Sequence, residues 1–434
     1  MVDLRSFIDI LERESELHRI DRAVSPRFEA SSIMKENDRK KAILFQISGY
    51  GKAVSGICGT KRRLALSLDT TPDRLRGCIM DGIRNPQQPS VSSNLNATEE
   101  LSDLSKLPAL THFEKDSAPY LTSAIVSARL PDSRGENVSI HRLMIIDKMH
   151  MAIRIVPRHL YQICRSAEAS GHSTVDVGIA LGLHPAVLLA AASPAPFGVS
   201  EYAVANRLLG NKLMVAECSS VNARVPVDAE IVIEGKILLK KEVDEGPFVD
   251  ITGTYDIVRK QPVVEVERIL CRKDFIYHAL LPSGREHGLL MGLPQEARIA
   301  ESIAGVVPRV KDVNLTAGGC HWLHAAVSVE KQSEGDAKNA ILAAFAGHPS
   351  LKHVVVVDPD IDVNNLEEVE WAIATRFQGS RGLVVITDAR GSSLDASGNQ
   401  ELSLTTKVGI DATRSFLRPK EKFERAMIPA DPKE

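Results

Sequence analysis

Aromatic side chains make up only 4% of this 434-residue chain, so there is little ring surface from which to build a cage around an aromatic ligand. Charge of one sign is scarce too. Lys and Arg number 53 against 56 Asp and Glu, a formal net charge of -3, which argues against a protein that works by neutralising nucleic-acid phosphates. The six cysteines, Cys58, Cys78, Cys164, Cys218, Cys271 and Cys320, contain no C-x-x-C pair. That spacing excludes the usual zinc frameworks and a small disulfide scaffold. Reduced thiols in a cytoplasmic protein are expected, with no single catalytic cysteine among them.

Long apolar runs are missing as well, and without 18 such residues in a row no membrane span is expected. Met1 to Leu17 carries acidic residues through its apolar pattern and reads as part of the folded protein, not as a secretory leader. Glycine-rich phosphate loops of the Walker or dinucleotide type are absent. Asp358, Asp360 and Asp362 have the spacing of a calcium loop's first ligands, but Val363 replaces its glycine and Val369 its bidentate glutamate. A strand, a turn, and Asn364 or Asn365 capping the next helix are expected there instead. His321 and His324 lack a second ligand pair and read as ordinary histidines. No internal repeat is visible.

What is present is the balance of a soluble globular protein, 44% hydrophobic and 25% charged, in a chain too long for one core. Leu4, Phe7, Ile8 and Leu11 recur at helical spacing behind a capping Asp3. Ala42 to Ile47 reads as a short buried strand, and Asn85 to Ser93 as a linker rich in Pro, Gln and Ser. The middle is dense in strand signals, at Val138 to Ile146, Lys212 to Glu217, Glu230 to Glu234 and Pro262 to Ile269. Helices are expected at Pro185 to Ala192 and from Glu201 to Leu209. The last third alternates helices (Glu296 to Ile303, Ala337 to Phe345, Leu366 to Arg376) with buried strands (Leu351 to Val357, Gly382 to Thr387), the signature of an α/β layer. Asp388 to Ser403 reads as a loop, and Arg418 to Glu434 as a charged, loosely held tail. The expected domains are 1–98, an α/β region; 99–295, strand-rich; and 296–434, α/β.

Chemistry concentrates in the middle region. Asn137 to Arg142 reads NVSIHR, Pro157 to His159 reads PRH, Pro194 to Glu201 reads PAPFGVSE, and Asp244 to Asp250 reads DEGPFVD. An amide, an imidazole and a carboxylate form an oxygen and nitrogen donor set that suits a manganese-type divalent cation. Two carboxylates beside an arginine are the parts of a proton-transfer device. Such residues are common, however. Taken singly, Asn137 fits a turn, His159 a helix start, Glu201 a first-turn carboxylate favoured by the helix dipole, and Glu245 and Asp250 a solvated turn.

Together, in this order and spacing, the four segments resemble those of the UbiD decarboxylase family. Asn137 and Arg142 match its N-x-x-x-x-R strand motif, and His159 follows Arg142 by 17 residues. Glu201 falls after the Pro-x-Pro-x-Gly-Val segment, and Glu245 and Asp250 match E-G-P-F-x-[ED]. Weaker similarity runs through Val354 to Asp358, Trp371 to Arg376 and Lys407 to Thr413, so the resemblance covers most of the chain beyond Glu99.

The resemblance implies a multidomain α+β and α/β protein. Its central domain is expected to be a split β-barrel of flavin-reductase type that holds prenylated FMN, flanked by N-terminal and C-terminal α/β regions. Asn137, His159 and Glu201 become the ligands of a manganese-type ion that holds the cofactor's phosphate. Ala190, Ala191 and Ser193 fall where potassium is bound, and Arg142, Arg158 and Lys407 join the cofactor-binding set. Arg142, Glu245 and Asp250 become the catalytic group, with Arg142 pairing with the substrate carboxylate and with Glu245, and Asp250 supplying a proton. Asp250 stands where the family often has glutamate, one methylene longer, which alters reach.

Family membership does not choose the acid. The compactness of the chain and the positive charge of Arg154 and Arg158 around His159 favour a phosphorylated small-molecule substrate. Among compact archaeal chains of this type the implied reaction is trans-anhydromevalonate 5-phosphate to isopentenyl phosphate and CO2, within isoprenoid biosynthesis. An aromatic acid such as 4-hydroxybenzoate is the alternative. A flavin-binding protein without activity is a different class, and it would lack part of the catalytic group. A homo-oligomer supplied with cofactor by a flavin prenyltransferase is also implied.

Overall fold

Asp3 opens the first helix, Leu4–Arg13, by accepting from the Ser6 amide while its own amide donates to Ser6 Oγ. This reciprocal cap satisfies two otherwise orphaned donors, and Leu4, Phe7, Ile8 and Leu11 fall on the buried face that their spacing predicts. The structure, a computed structural model, describes residues 2–131, 135–426 and 428. It divides into two units, 1–294 and 295–434.

The first unit begins with a sheet of β1 (Leu17–Val24), β2 (Ala42–Ile47) and β3 (Gly51–Ser55). The chain continues through β4 (Ser90–Ser92), β5 (Glu99–Glu100), β6 (Tyr120–Leu121), β7 (Ile125–Arg129), β8 (Glu136–Ile140), β9 (Leu143–Ile145), β10 (His150–Ile153) and β11 (Thr174–Leu181). Then come β12 (Met214–Glu217), β13 (Arg224–Pro226), β14 (Ile231–Glu245), β15 (Phe248–Val249), β16 (Tyr255–Asp256), β17 (Arg259–Cys271) and β18 (Tyr277–His278). β18 joins the first sheet beside β3. The expected linker Asn85 to Ser93 contributes β4, which pairs in parallel with β12.

The main sheet follows the path β6-β9-β10-β17-β14-β11-β7-β8. β8 and β9 are separated by only His141 and Arg142, yet they lie toward opposite ends of that path. Three residue steps span at most about 11 Å, so the sheet has to curl until its two ends approach, giving a half-barrel. For the same reason the single strand expected over Val138 to Ile146 is two strands. His141 and Arg142 leave the ladder where the chain exchanges β7 for β6 and β10 as neighbours. The strands of 15 and 13 residues that carry the curl, β14 and β17, shift register at Gly235. A Cβ at Gly235 would lie 2.6 Å from the Glu265 carbonyl oxygen, so only glycine permits this close approach. One buried cluster contains Ile43 and Phe45 of β2 together with Val126, Ile179, Ile233 and Val264 of the main sheet.

The second unit is a mixed sheet of order β19 (Val310–Leu315), β20 (His324–Val329), β21 (His353–Val357), β23 (Leu404–Asp411), β22 (Leu383–Arg390), parallel through β20, β21 and β23. Alternation along the strands serves both faces. Val327, Val354 and Val356 pack with the helix Asp336–Gly347, while Ala326, Val355 and Val357 pack with Leu366–Arg376. Asn365 caps the latter helix, and Asp358 and Asp360 pair with Arg376. β22 was expected to be buried. It is a half-exposed edge strand, with Leu383 and Val385 open on its outer face, and it extends to Arg390 into the expected loop. Of the expected tail, 427 and 429–434 lie outside the described residues. Among the described residues the cysteines are free thiols, and no helix is long and apolar enough to cross a membrane.

Candidate active site

Arg142, the second of the two residues that break the main sheet's ladder, stands at the centre of a charged cluster. Arg142 donates from Nε and Nη2 to both oxygens of Glu245 at 2.8 Å, and from Nη1 to Asp250 Oδ2 at 2.8 Å. Nη2 also reaches Asp256 Oδ2 at 3.2 Å. Glu245 ends β14, Asp250 follows β15, and Asp256 ends β16, so one short hairpin delivers the carboxylates. Its Phe248 ring lies under the guanidinium, 4.8 Å from its carbon, and Tyr120 donates to Glu245 Oε1 at 3.3 Å. Burial alone would destabilise the cation, but Glu245, Asp250 and Asp256 outweigh it and raise the pKa of Arg142. Burial, then Glu245, pushes the Tyr120 phenol up, which keeps it a donor.

Asp250 differs from its neighbours in exposure. Its side chain is 19% accessible, against 1% for Glu245 and 0% for Asp256. Asp250 is therefore the carboxylate on the open side of the cluster. Arg259 pairs with Asp256 from the other side, and Arg154 Nε lies 3.8 Å from it.

A second cluster lies along the same stretch of chain. Glu201 is buried at the start of the helix Glu201–Leu208. Its Oε2 accepts from the Val138 amide at 2.6 Å, and its Oε1 lies 3.1 Å from Asn137 Nδ2 and 3.9 Å from His159 Nδ1. Burial raises the pKa of Glu201, opposed by His159 and the Val138 amide. Ser200 sets this helix in place. It caps the Tyr202 amide and donates to Glu136 Oε2 at 2.6 Å, and Glu136 is held in turn by Arg224 at 2.7 Å. His159 opens the helix His159–Ala169 and packs edge-on against Phe197, with ring centres 5.4 Å apart.

The side chains from β8 and two helix starts thus gather around Glu201 Oε1. Two ligands at right angles, each about 2.1 Å from a divalent ion, stand about 3 Å apart; the 3.1 Å between Asn137 and Glu201 matches this, and the 3.9 Å between His159 and Glu201 is wider. Among the described residues no three of His, Cys, Asp and Glu meet in this way, so the set reaches three ligands only with the Asn137 amide. An amide oxygen, a carboxylate and an imidazole fit a manganese-type ion.

The other sequence candidates fall as follows. Arg158 is exposed and occupies the position just before the helix His159–Ala169, close enough to His141 to act on its charge. Ala190 and Ala191 are buried at the end of the helix Pro185–Ala191, and Ser193 just beyond it donates to the Leu189 carbonyl at 2.8 Å. Lys407 belongs to the second unit. There its ammonium donates to the carbonyls of Pro349 and Leu351, at 2.6 and 2.5 Å, and burial lowers its pKa to about 8. Asp256 and Tyr120 were missed in the sequence. Asp256 was within reach of sequence reasoning, since the E-G-P-F hairpin returns it beside Phe248; nothing marked Tyr120.

Comparison with known proteins gives the following. Residues 8–79, 84–285 and 288–412 match the N-terminal, Rift-related and C-terminal domains of the 3-octaprenyl-4-hydroxybenzoate carboxy-lyase (UbiD) family. The anhydromevalonate phosphate decarboxylase of Methanothermobacter thermautotrophicus is 46% identical over 424 residues, 97% of this chain and 99% of that one. Its counterpart in Methanosarcina mazei is 46% identical over 430 residues, 98% and 99% of the two chains. Among solved structures, the UbiD-class enzyme HmfF of Pelotomaculum thermopropionicum in complex with FMN superposes with a TM-score of 0.95 at 39% identity, covering 98% of this chain and 97% of that one. Apo 3,4-dihydroxybenzoic acid decarboxylase (AroY) of Klebsiella pneumoniae gives 0.90 at 27%, covering 99% and 98%.

Proposed function

Since the chain belongs to the UbiD family of carboxy-lyases, we propose that it decarboxylates trans-anhydromevalonate 5-phosphate to isopentenyl phosphate and CO2. Identity of 41–46% to anhydromevalonate phosphate decarboxylases over nearly the full length supports the substrate. The observation that carries the reaction is Arg142 shared among Glu245, Asp250 and Asp256. Four of the guanidinium's five N–H donors are taken by these carboxylates, and the fixed frame holds the fifth, on Nη1, in place for a substrate carboxylate. The open-side Asp250 is the proton donor to the carbon that loses CO2, with Glu245 holding Arg142 in register.

The cofactor of this reading is prenylated FMN, which UbiD-class HmfF carries in one solved form. When bound, it supplies the electron sink for losing CO2. Asn137, His159 and Glu201 hold a manganese-type ion at its phosphate. Ala190, Ala191 and Ser193 supply oxygens for potassium, and Arg158 adds positive charge toward the phosphate. The curled sheet takes the part of a flavin-reductase-like split barrel. A flavin prenyltransferase matures the cofactor, and the chain works as a homo-oligomer.

The test is co-expression with a flavin prenyltransferase followed by CO2 release on a panel of acids. The phosphorylated substrate is expected to exceed 4-hydroxybenzoate in kcat/KM by at least about 100-fold, because buried donors left unpaired penalise the wrong ligand. Equal turnover of both would overturn the substrate. In the same preparation Glu201→Gln is expected to lose most of its flavin on gel filtration, read by absorbance, because a charged ligand becomes neutral. Full flavin retention would remove Glu201 from the metal site.

A further inference from the structure

We propose that Ser139 and His141 are positioning residues that turn the Asn137 amide so that its oxygen faces Glu201 and the cation held there. The inference deepens the metal reading and rests on it. Asn137, Ser139 and His141 alternate along one strand and its exit, so their side chains share a face. They form a line of contacts. His141 Nδ1 lies 2.8 Å from the Arg154 carbonyl oxygen, His141 Nε2 lies 2.9 Å from Ser139 Oγ, and Ser139 Oγ lies 3.0 Å from Asn137 Oδ1. The far end of the amide, Nδ2, is 3.1 Å from Glu201 Oε1.

Counting hydrogens along this line decides the direction of each bond. A carbonyl oxygen only accepts, so His141 Nδ1 carries a hydrogen. A neutral imidazole has no second one, so Nε2 accepts, and the single Ser139 hydrogen goes to it. The amide atom facing Ser139 must then be a donor. Amide oxygen and nitrogen exchange places by a half turn, and only hydrogen bonding decides between the two orientations. The half turn sets the Asn137 oxygen against Glu201 Oε1 at the same 3.1 Å. Two acceptor oxygens at that separation need a cation or a proton between them.

The opposite orientation needs a doubly protonated His141. Its side chain is buried, and burial, with the charges of Arg158 and Arg154 facing it, lowers its pKa to about 4 despite the Arg154 carbonyl. The neutral ring is therefore the form present near neutrality. The strand thus carries a ligand and, two and four residues further on, the device that aims it. Partners of this kind around metal ligands govern affinity.

The test is titration of Mn2+ alone into the flavin-free chain by calorimetry, beside the thermal midpoint of the metal-free protein. Ser139→Ala and His141→Phe are each expected to weaken Mn2+ about 10–100-fold, with little change in the metal-free midpoint of Ser139→Ala. His141→Gln is expected to keep near-wild-type affinity, because its amide can donate to the Arg154 carbonyl and accept from Ser139. Should His141→Phe not fold, Ser139→Ala and His141→Gln carry the comparison. Wild-type affinity in Ser139→Ala would overturn the relay and leave the metal reading standing. A loss in His141→Gln of 10-fold or more would equally count against it, by showing that the hydrogen count does not govern. A wild-type chain that takes up no Mn2+ would overturn both.

Discussion

Asp250→Asn is expected to lower CO2 release by about 10²–10⁴-fold, the usual contribution of a positioned proton donor, while flavin content stays at the wild-type level. Asparagine keeps the shape of the side chain, and its oxygen can still accept from Arg142 Nη1, which lies 2.8 Å from Asp250 Oδ2. What it loses is the ability to give up a proton. Exposure agrees with the choice of Asp250: Glu245 and Asp256 are sealed at 1% and 0%, whereas the Asp250 side chain is open at 19%. Among the described residues no hydrogen bond or ion pair joins Asp250 to Asn137, His159 or Glu201, so flavin retention is expected to be untouched. Absorbance of bound flavin beside CO2 release measures both properties on one sample. Undiminished release by Asp250→Asn would remove this residue from the mechanism and leave only its binding half.

Arg142→Met is expected to cost both activity and stability, and here the loss of stability is the more informative. The guanidinium makes two bonds to Glu245, one to Asp250 and one to Asp256. Its removal leaves Asp256 with Arg259 and a more distant Arg154, but leaves Glu245, among the described residues, hydrogen-bonded to the Tyr120 hydroxyl with no ion-pair partner and only the more distant charge of Arg154 acting on it. Breaking a buried pair by deleting one partner costs about 3–5 kcal/mol, because the remaining charge is stranded. The denaturation midpoint is accordingly expected to fall well below that of the wild type, and adding Glu245→Gln, which removes the stranded charge, is expected to recover part of the loss. A deficit unchanged in the double variant would argue that lost packing on Phe248, not stranded charge, dominates. Arg142→Lys is expected to rescue little, since a single ammonium cannot reproduce a planar fork serving three carboxylates.

How much of this was legible in the sequence depended on the range of the interaction involved. Signals that act within a few residues read correctly: the Asp3 cap and its helix, Ala42–Ile47 as a strand, Leu366–Arg376 behind Asn365. The motifs named Asn137, Arg142, His159, Glu201, Glu245 and Asp250 because short segments carry each of them whole. Their grouping belongs to tertiary structure. That Asn137, His159 and Glu201 gather requires two helix starts to lie against β8, and the Ser200–Glu136–Arg224 contacts pin the one that carries Glu201 across long stretches of chain. The break in Val138 to Ile146 was hidden because apolar residues run through it, and only the curl of the main sheet forces the chain to change partners at His141 and Arg142. The outer face of β22 misled in the opposite way, since Leu383 and Val385 look like core residues until the sheet ends beside them. The third carboxylate on Arg142 and the line from Arg154 through His141 to Asn137 were decided by the fold alone. Hydrogen-bond direction and shared charge depend on which atoms meet, and residue order constrains that only through the path of the chain.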